Sequence, residues 1–373
     1  MEIAGGRGQD LYHRRDAKKT GLPTGGPAER SRSEMVTLKM IAQHCGVSTA
    51  TVSKALNGAA DINRDTACRV RQTASQLGYL PNAAARALKT SRSYCFGIVF
   101  RDSNNIGLAH GFFSSLLNGF KSRAEELGYD IFFISDRLGE RRIGYAEHAR
   151  YRNCDGVLIA NDTFDGERVQ ELVRSGIPSV VIDCKLEHCG SVQSDNFQGM
   201  RDLVEYIHSL GHRRIAFVHG DDTLVTRTRI QSFRQTCQEL HIDIPKNYIV
   251  PARYCETAPC EAATRTLLAL DMPPTCIIYP DDLAYIGGRN EIYRQGFRIP
   301  EDISCAGYDG IELSQILRPR LTTLRQDGTL MGVCAAEELV RMATSGGDYQ
   351  PQEYLIPGTL LTGETVGRCE HKS

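Results

Sequence analysis

The segment from Val47 to Gly58 constrains this chain more than any other. Before it, Leu38, Ile41, Ala42 and Cys45 recur at i, i+3, i+4 and i+7, the spacing of one helix face. Gly46 ends that helix, since glycine tolerates the positive φ of a helix C-terminus. Ser48 suits the N-cap of a second helix because its hydroxyl accepts from an orphan amide. Val52 and Leu56, four apart, are expected to face inward, leaving Thr49, Ala50, Ser53 and Lys54 outward. Two short helices across a tight turn cannot bury much surface alone, so further helices must follow. A second helix so presented fits a DNA major groove, with its N-terminal residues on base edges.

The next residues fit that expectation. Asn63 caps a third helix to about Leu77, with Asp65 in its first turn, where the helix dipole favours an acid. Gly78 closes it. Pro81 then opens an Ala-rich helix of about two turns, too short to be stable alone in water. The spacings V-S-x-x-T-V-S-x-x-L-N (from Val47) and Y-x-P-N-x-x-A-R-x-L (from Tyr79) resemble those of the lactose-repressor/galactose-repressor family of bacterial transcription regulators. The resemblance runs from about Met35 to Thr365. It implies a DNA-binding head, a hinge helix and a two-lobed α/β core like that of periplasmic sugar receptors. It also implies a homodimer on a near-palindromic operator, with Leu88 of each subunit wedged into the minor groove. The candidate DNA contacts are Thr49, Ala50, Thr51, Ser53, Lys54, Asn57, Asn82, Arg86, Leu88 and Lys89. Among them Thr49, Ala50 and Lys54 are expected to face bases, and Thr51 and Ser53 the backbone.

Charge divides the chain in the same place. Met35 to Ser93 holds eight Lys/Arg against two Asp/Glu, whereas Tyr94 to the end holds 29 against 38. A basic head on an acidic body suits a polyanion-binding module joined to a sensor. The 13 cysteines form no C-x-x-C pair, no secretory signal opens the chain, and no apolar run approaches about 18 residues. These features imply a reducing cytoplasm and free thiols. Cys184, His188 and Cys189 lack a fourth ligand for a metal site, and His208 and His212 straddle Gly211 at a helix end. No metal or cofactor is expected.

Residues 1–34 are rich in Gly, Arg, Lys, Ser and Pro and read as a disordered or non-native extension, a basic arm on DNA being the functional alternative. The DNA-binding domain is expected over 35–80, the hinge over 81–93 and the core over 94–373. In the core, short apolar runs alternate with amphipathic stretches: Cys95–Phe100, Ile131–Ile134, Val157–Ala160, Ser179–Ile182, Ile215–Val218, Cys276–Tyr279 and Ser304–Gly307. Seven such strands predict parallel sheets covered on both faces. The N-lobe is expected over about 94–193 plus 324–352, and the C-lobe over about 194–320 plus the C-terminal end. The chain would cross between them near Val192–Asp195, Ser314–Leu317 and Leu321–Gln326.

Ligands of such sheets sit beyond the carboxyl ends of the strands. That rule selects Arg101-Asp102-Ser103, Asn161-Asp162, Asp183 and Asp281-Asp282. The family resemblance adds Phe112 and Phe113, although His110-Gly111 replaces its usual Asn-Pro. It also adds Arg227 and Arg229, although Ser232 replaces a glycine. Tyr254 takes the place of a cleft aromatic, and Asp309 is the first acid of a Gly-Tyr-Asp motif whose second acid is Gly310. The effector set is therefore Phe112, Phe113, Asn161, Asp162, Arg229, Tyr254, Asp281 and Asp309. Competing structural roles are a helix cap for Asp282, a turn and cap for Asp195-Asn196, core packing for Phe112 and Phe113, and a lobe-closing salt bridge for Arg229 and Asp309. No nucleophile elbow, P-loop or zinc motif appears, so an enzyme is not expected. The effector is expected to be a sugar or sugar derivative, with a purine, a protein partner or no ligand as alternatives. The C-terminal end carries no heptad helix, which predicts a dimer rather than a tetramer.

Overall fold

The computed structural model describes residues 36–59, 61–79, 87, 90, 92–101, 107–161, 164–345 and 349–369. The chain divides into two compact units, Met1–Asn82 and Ala83–Ser373.

In the first unit, α1 (Leu38–Cys45), α2 (Thr49–Leu56) and α3 (Arg64–Leu77) enclose Ile41, Val52 and Val70. Thr37, Ser48 and Asn63 supply the N-cap oxygens. Gly46 ends α1 at φ 63°, and that left-handed residue turns the chain sharply into α2. One expectation needs correction. Ala55 is the second buried residue of α2, at 1 % exposure, while Leu56 packs half-buried at the edge of the cluster. The i+3 neighbour of Val52 faces α1 and α3 more directly than the i+4 neighbour.

The second unit holds two six-stranded sheets. Its strands are β1 (Cys95–Phe100), β2 (Asp130–Ile134), β3 (Arg137–Leu138), β4 (Arg141–Arg142), β5 (Gly156–Asn161), β6 (Ser179–Ile182) and β7 (Gly190–Ser194), then β8 (Ile215–His219), β9 (Ile249–Pro251), β10 (Cys276–Ile278), β11 (Ser304–Asp309), β12 (Thr322–Arg325), β13 (Glu353–Ile356) and β14 (Thr359–Leu361). The first sheet runs β13-β7-β6-β5-β1-β2 and the second β14-β12-β11-β10-β8-β9; β3 and β4 form a separate hairpin. The ladders of both sheets are parallel except β12–β14.

Helices cover both faces of each sheet. In the first lobe, α4 (Gly111–Glu126) and α12 (Gly328–Thr344) close one core, around Phe96, Leu116, Phe120 and Leu339. The other core lies under α5 (Tyr145–Tyr151) and α6 (Glu167–Arg174). In the second lobe, α7 (Asn196–Ser209) and α8 (Leu224–Glu239) enclose Leu203, Phe217 and Phe233. Its opposite face carries α9 (Thr257–Leu268) and α10 (Asp282–Arg294), with the short α11 (Glu312–Ile316) beside α10.

The chain passes between sheets after Ser194, after Arg325 and after Ile356. The crossing expected at Ser314–Leu317 is not there. That stretch is α11, which joins two neighbouring strands of the second sheet. The returning segment is accordingly α12 and β13, and Thr322–Arg325 belongs to the second sheet.

Candidate functional site: an exposed helix and an interlobe cleft

In the first unit, Thr49, Ala50, Lys54 and Asn57 are exposed, and Thr51 and Ser53 are half-buried. Ser48 Oγ accepts from Thr51 N at 3.1 Å and lies 2.9 Å from Thr51 Oγ1, so the Thr51 hydroxyl is turned back towards its cap. Asn57 Nδ2 donates to Ser53 O. Lys54 pairs with Asp61, and that hydrogen bond holds the Asp61 carboxyl below its ordinary pKa. Asn82, Arg86, Leu88 and Lys89 lie outside the described residues, as do residues 1–34.

In the second unit, the carboxyl ends of both sheets converge on one cleft. Its second-lobe side is built mainly by hydrogen bonds to backbone. Arg229, on α8, is 2 % exposed. Its Nε donates to Asn196 Oδ1 at 2.7 Å, its Nη1 donates to Pro280 O at 3.0 Å, and its guanidinium lies 3.4 Å from the centre of the Tyr308 ring. A buried guanidinium stacked and bonded in this way is fixed in direction. Asp281, after β10, accepts at Oδ1 from Leu283 N and Ala284 N, and at Oδ2 from Cys255 N. It is thus the N-cap of α10. The sequence reading gave that role to Asp282, which lies one residue inside the helix. Asp282 instead turns inward and accepts from Thr323 Oγ1 at 2.6 Å and Ile311 N at 2.9 Å. Burial pushes its carboxyl well above the ordinary range.

Asp309 closes β11 at φ 96° and accepts from Gln326 Nε2 at 2.6 Å. The Tyr254 hydroxyl lies 2.7 Å from Thr226 Oγ1. Arg227, two residues before Arg229 on α8, is exposed and paired with Asp222. Arg229 makes no ion pair among the described residues, so it is not the lobe-closing salt bridge considered above.

The first-lobe side is more aromatic. Phe112, at 6 % exposure, belongs to the core and is not a cleft wall. Phe113 is half-buried and meets Phe100 and His110 edge-on, with ring centres 5.3 and 5.0 Å apart. Asn161 ends β5 and donates from Nδ2 to Arg101 O at 2.9 Å, holding the start of the loop after β1. Asp162, like Asp102 and Ser103, lies outside the described residues. Asp183 follows β6 at φ 51° and accepts from Ser194 N at 2.8 Å. Asp195 caps α7, and Asn196 Nδ2 donates to Ser194 O at 3.1 Å.

The two sides are close. A β-carbon on Gly111 would lie 2.7 Å from Ile311 Cγ2, so glycine is what allows this approach. Electrostatics also cross the cleft. Burial pushes Asp183 up to about 6, with the amide of Ser194 and Arg229 pulling it down and Asp309 raising it. Burial and then the charge of Asp309 push Asp281 up to about 6 as well, against the amides of Ala284 and Cys255 and against His110. Arg229, Tyr254, Asp281, Asp309 and Phe113 therefore share one region. Sequence reasoning left His110, Asp183, Asn196, Thr226 and Gln326 out of the effector set. Asp183 and His110 carried a signal, a strand end and a departure from a motif. Gln326 carried none, because β12 did not read as a strand.

Among the described residues no group of three or more His, Cys, Asp or Glu is placed to hold a metal ion. No described helix is long and apolar enough to cross a membrane.

Comparison with known proteins agrees with both halves. Residues 37–82 match the model for bacterial regulatory proteins of the lacI family, and residues 204–366 match a periplasmic binding protein-like domain. The chain is 30 % identical over 313 residues to the probable HTH-type transcriptional repressor ExuR of Bacillus subtilis (strain 168), spanning 83 % of this chain and 92 % of that protein. It is also 30 % identical to the HTH-type transcriptional repressor PurR of Vibrio cholerae serotype O1 (strain M66-2), spanning 82 % and 91 %. Among solved structures, a complex of the transcriptional regulator CelR with cellobiose has TM-score 0.66 and 25 % identity over 88 % of this chain and 99 % of that one. With those matches spanning both the exposed helix and the cleft, this chain belongs to the lacI family of bacterial regulatory proteins.

Proposed function

We propose that this protein is a cytoplasmic transcriptional repressor that binds a near-palindromic operator as a homodimer. Its operator affinity is set by a small effector, a sugar or sugar derivative, held between the lobes. The observation that carries this reading is the cleft itself. Arg229 reaches it from α8, and Asp281 and Asp309 from the carboxyl ends of β10 and β11, around the Tyr254 and Phe113 rings. Sugar hydroxyls donate and accept together, so carboxylates and a forked guanidinium suit them, and ring faces suit their C–H surface. Closure around the ligand would move the first lobes of the dimer and with them the two hinge segments. A switch from 1:99 to 99:1 needs about 5.5 kcal/mol of preference for one state.

On DNA, Thr49, Ala50 and Lys54 are assigned to base edges, with Thr51, Ser53 and Asn57 nearer the backbone. Asn82, Arg86, Leu88 and Lys89 are assigned to the hinge contacts. The test is an operator mobility shift with and without monosaccharides, disaccharides, sugar acids, sugar phosphates and purines. A saccharide that changes operator affinity for the wild type, but not for Asp309→Ala, supports the reading. A response only to purines or phosphates, or an equal response in that variant, overturns the effector assignment. Lys54→Ala is expected to relax specificity at one position per half-site. Equal weakening on every sequence would make Lys54 a phosphate contact instead.

A further inference from the structure

The polar groups lining the cleft are out of balance. Among the described residues, the carboxylates of Asp183, Asp281 and Asp309 share the cleft with one buried guanidinium, that of Arg229, and each of the four feels the charge of at least one other. Two of the five N–H donors of Arg229 are already committed within the second lobe. On the acceptor side, Asp183 has accepted one hydrogen bond, from Ser194, and Asp309 one, from Gln326. A carboxylate has about four acceptor sites. Capacity to accept therefore exceeds capacity to donate.

A second observation points the same way. Gln326 is 8 % exposed, and its Nε2 donates to Asp309. Its Oε1 is buried and has no partner among the described residues. His110 Nδ1 is likewise buried and without a partner among them. Buried polar atoms are rarely left unpaired, and an orphaned acceptor beside a carboxylate is a place for a donor. The bound effector can supply that donor.

We infer that the effector carries a protonated amino group, as an amino sugar does, and that the group is received by Asp309 and Gln326 Oε1 with Asp183 and Asp281 around it. This inference rests on the cleft being the effector site and narrows the ligand class. An ammonium supplies three donors and a positive charge, which is what the corner lacks. A uronate or sugar phosphate brings further negative charge against three acids. A neutral sugar satisfies the acceptors and leaves the charge uncompensated. Burial, and with it the charge of Asp309, pushes Asp183 and Asp281 up to about 6 by disfavouring their ionised forms. An ammonium favours those forms, so its binding strengthens as pH rises through that range. Other charged or titratable groups near the corner are Arg229, His110, Tyr254, Tyr308, Asp282 and Cys260, with Arg325 beside Asp309 on the next strand.

The experiment is isothermal titration of the full-length protein with paired probes: D-glucosamine and D-glucose, D-galactosamine and D-galactose, D-mannosamine and D-mannose, and D-glucuronate. In the pair of matching stereochemistry the amine is expected to bind about tenfold tighter than its parent at pH 7.0, since hydrogen bonds between charged groups are about twice as strong as neutral ones. The gap shrinks at pH 5.5. Asp309→Asn is expected to abolish it with unchanged thermal stability, because Asn tolerates the positive φ and still accepts from Gln326. If parent sugars or the uronate bind as tightly as the amines, the inference falls and the effector site stands. If no probe binds, the inference falls, and the effector site is judged by the operator mobility shift with the wider set of saccharides. A gap that persists in Asp309→Asn also overturns the inference.

Discussion

The two lobes contain sheets of equal size and similar order, yet they meet the cleft in different ways. The second lobe presents charged groups already fixed by its own structure: Arg229 is stacked and twice bonded, and Asp281 is locked as a helix cap. Among the described residues, the first lobe presents ring edges and the carboxylate of Asp183, on a left-handed residue. The difference teaches that similar topology does not imply equal shares in recognition. The second lobe works as a prepared floor, and the first lobe works as a cover.

The largest effect that would break this comparison concerns Phe112. Replacing it by Ala is expected to cost about 4 kcal/mol in urea unfolding, as for other buried aromatics, whereas Phe113→Ala is expected to cost about 1 kcal/mol while weakening ligand. Equal losses would show that the two rings do not divide between core and cover. Next comes Arg229→Ala, expected to lose about 3 kcal/mol of stability, because Asn196 and Pro280 lose buried partners, and to abolish effector binding. Retained stability with lost binding would make Arg229 part of the cover instead of the floor.

Asp281 sharpens the same point at smaller scale. Asp281→Ala is expected to cost about 1–2 kcal/mol in thermal unfolding, and Asp281→Asn about 0.5 or less, since Asn caps helices nearly as well. Similar costs for both would show that charge, not capping, holds the site. The smallest effect is a pH slope. Asp183 has a raised folded pKa, near 6 against 3.8, so the folded state holds a proton that the unfolded state has released. Stability from this group is therefore greatest below about 4 and declines as pH rises to about 6. The urea midpoint of the wild type, relative to Asp183→Asn, should fall between pH 4 and 6 and level off above. A flat difference would place Asp183 in open solvent.

Much of this was legible in the sequence, and the reasons are local. α1, α2 and α3 were marked by caps and apolar spacing that the structure uses directly. Buried parallel strands such as Ser179–Ile182 read as apolar runs because both of their faces are covered. The strands that escaped notice are polar or peripheral. Gly190–Ser194 contains two serines and a glutamine, and Ser191 spends its hydroxyl on Cys184 O. Thr322–Arg325 buries two threonines, one of them bonded to Asp282. The crossing expected at Leu321–Gln326 is there, after Arg325, but the one after Ile356 was missed and one was set wrongly at Ser314–Leu317, because the edge strands Glu353–Ile356 and Thr359–Leu361 did not read as strands. Within the cleft, strand-end acids were visible, but which neighbouring acid capped α10 depended on where the helix began.

The three crossings also order events on the ribosome. The first lobe's sheet is largely complete in sequence by Ser194, yet α12 and β13, which cover and edge it, are synthesised only after the second lobe's first five strands. The second lobe in turn waits for β14 and for Val366 in its core. Both lobes thus remain unfinished until the last residues emerge, while α1–α3 leave the tunnel early as a separate unit. A ribosome that stops short of Thr322 releases a head able to fold, joined to a body whose cores lie open.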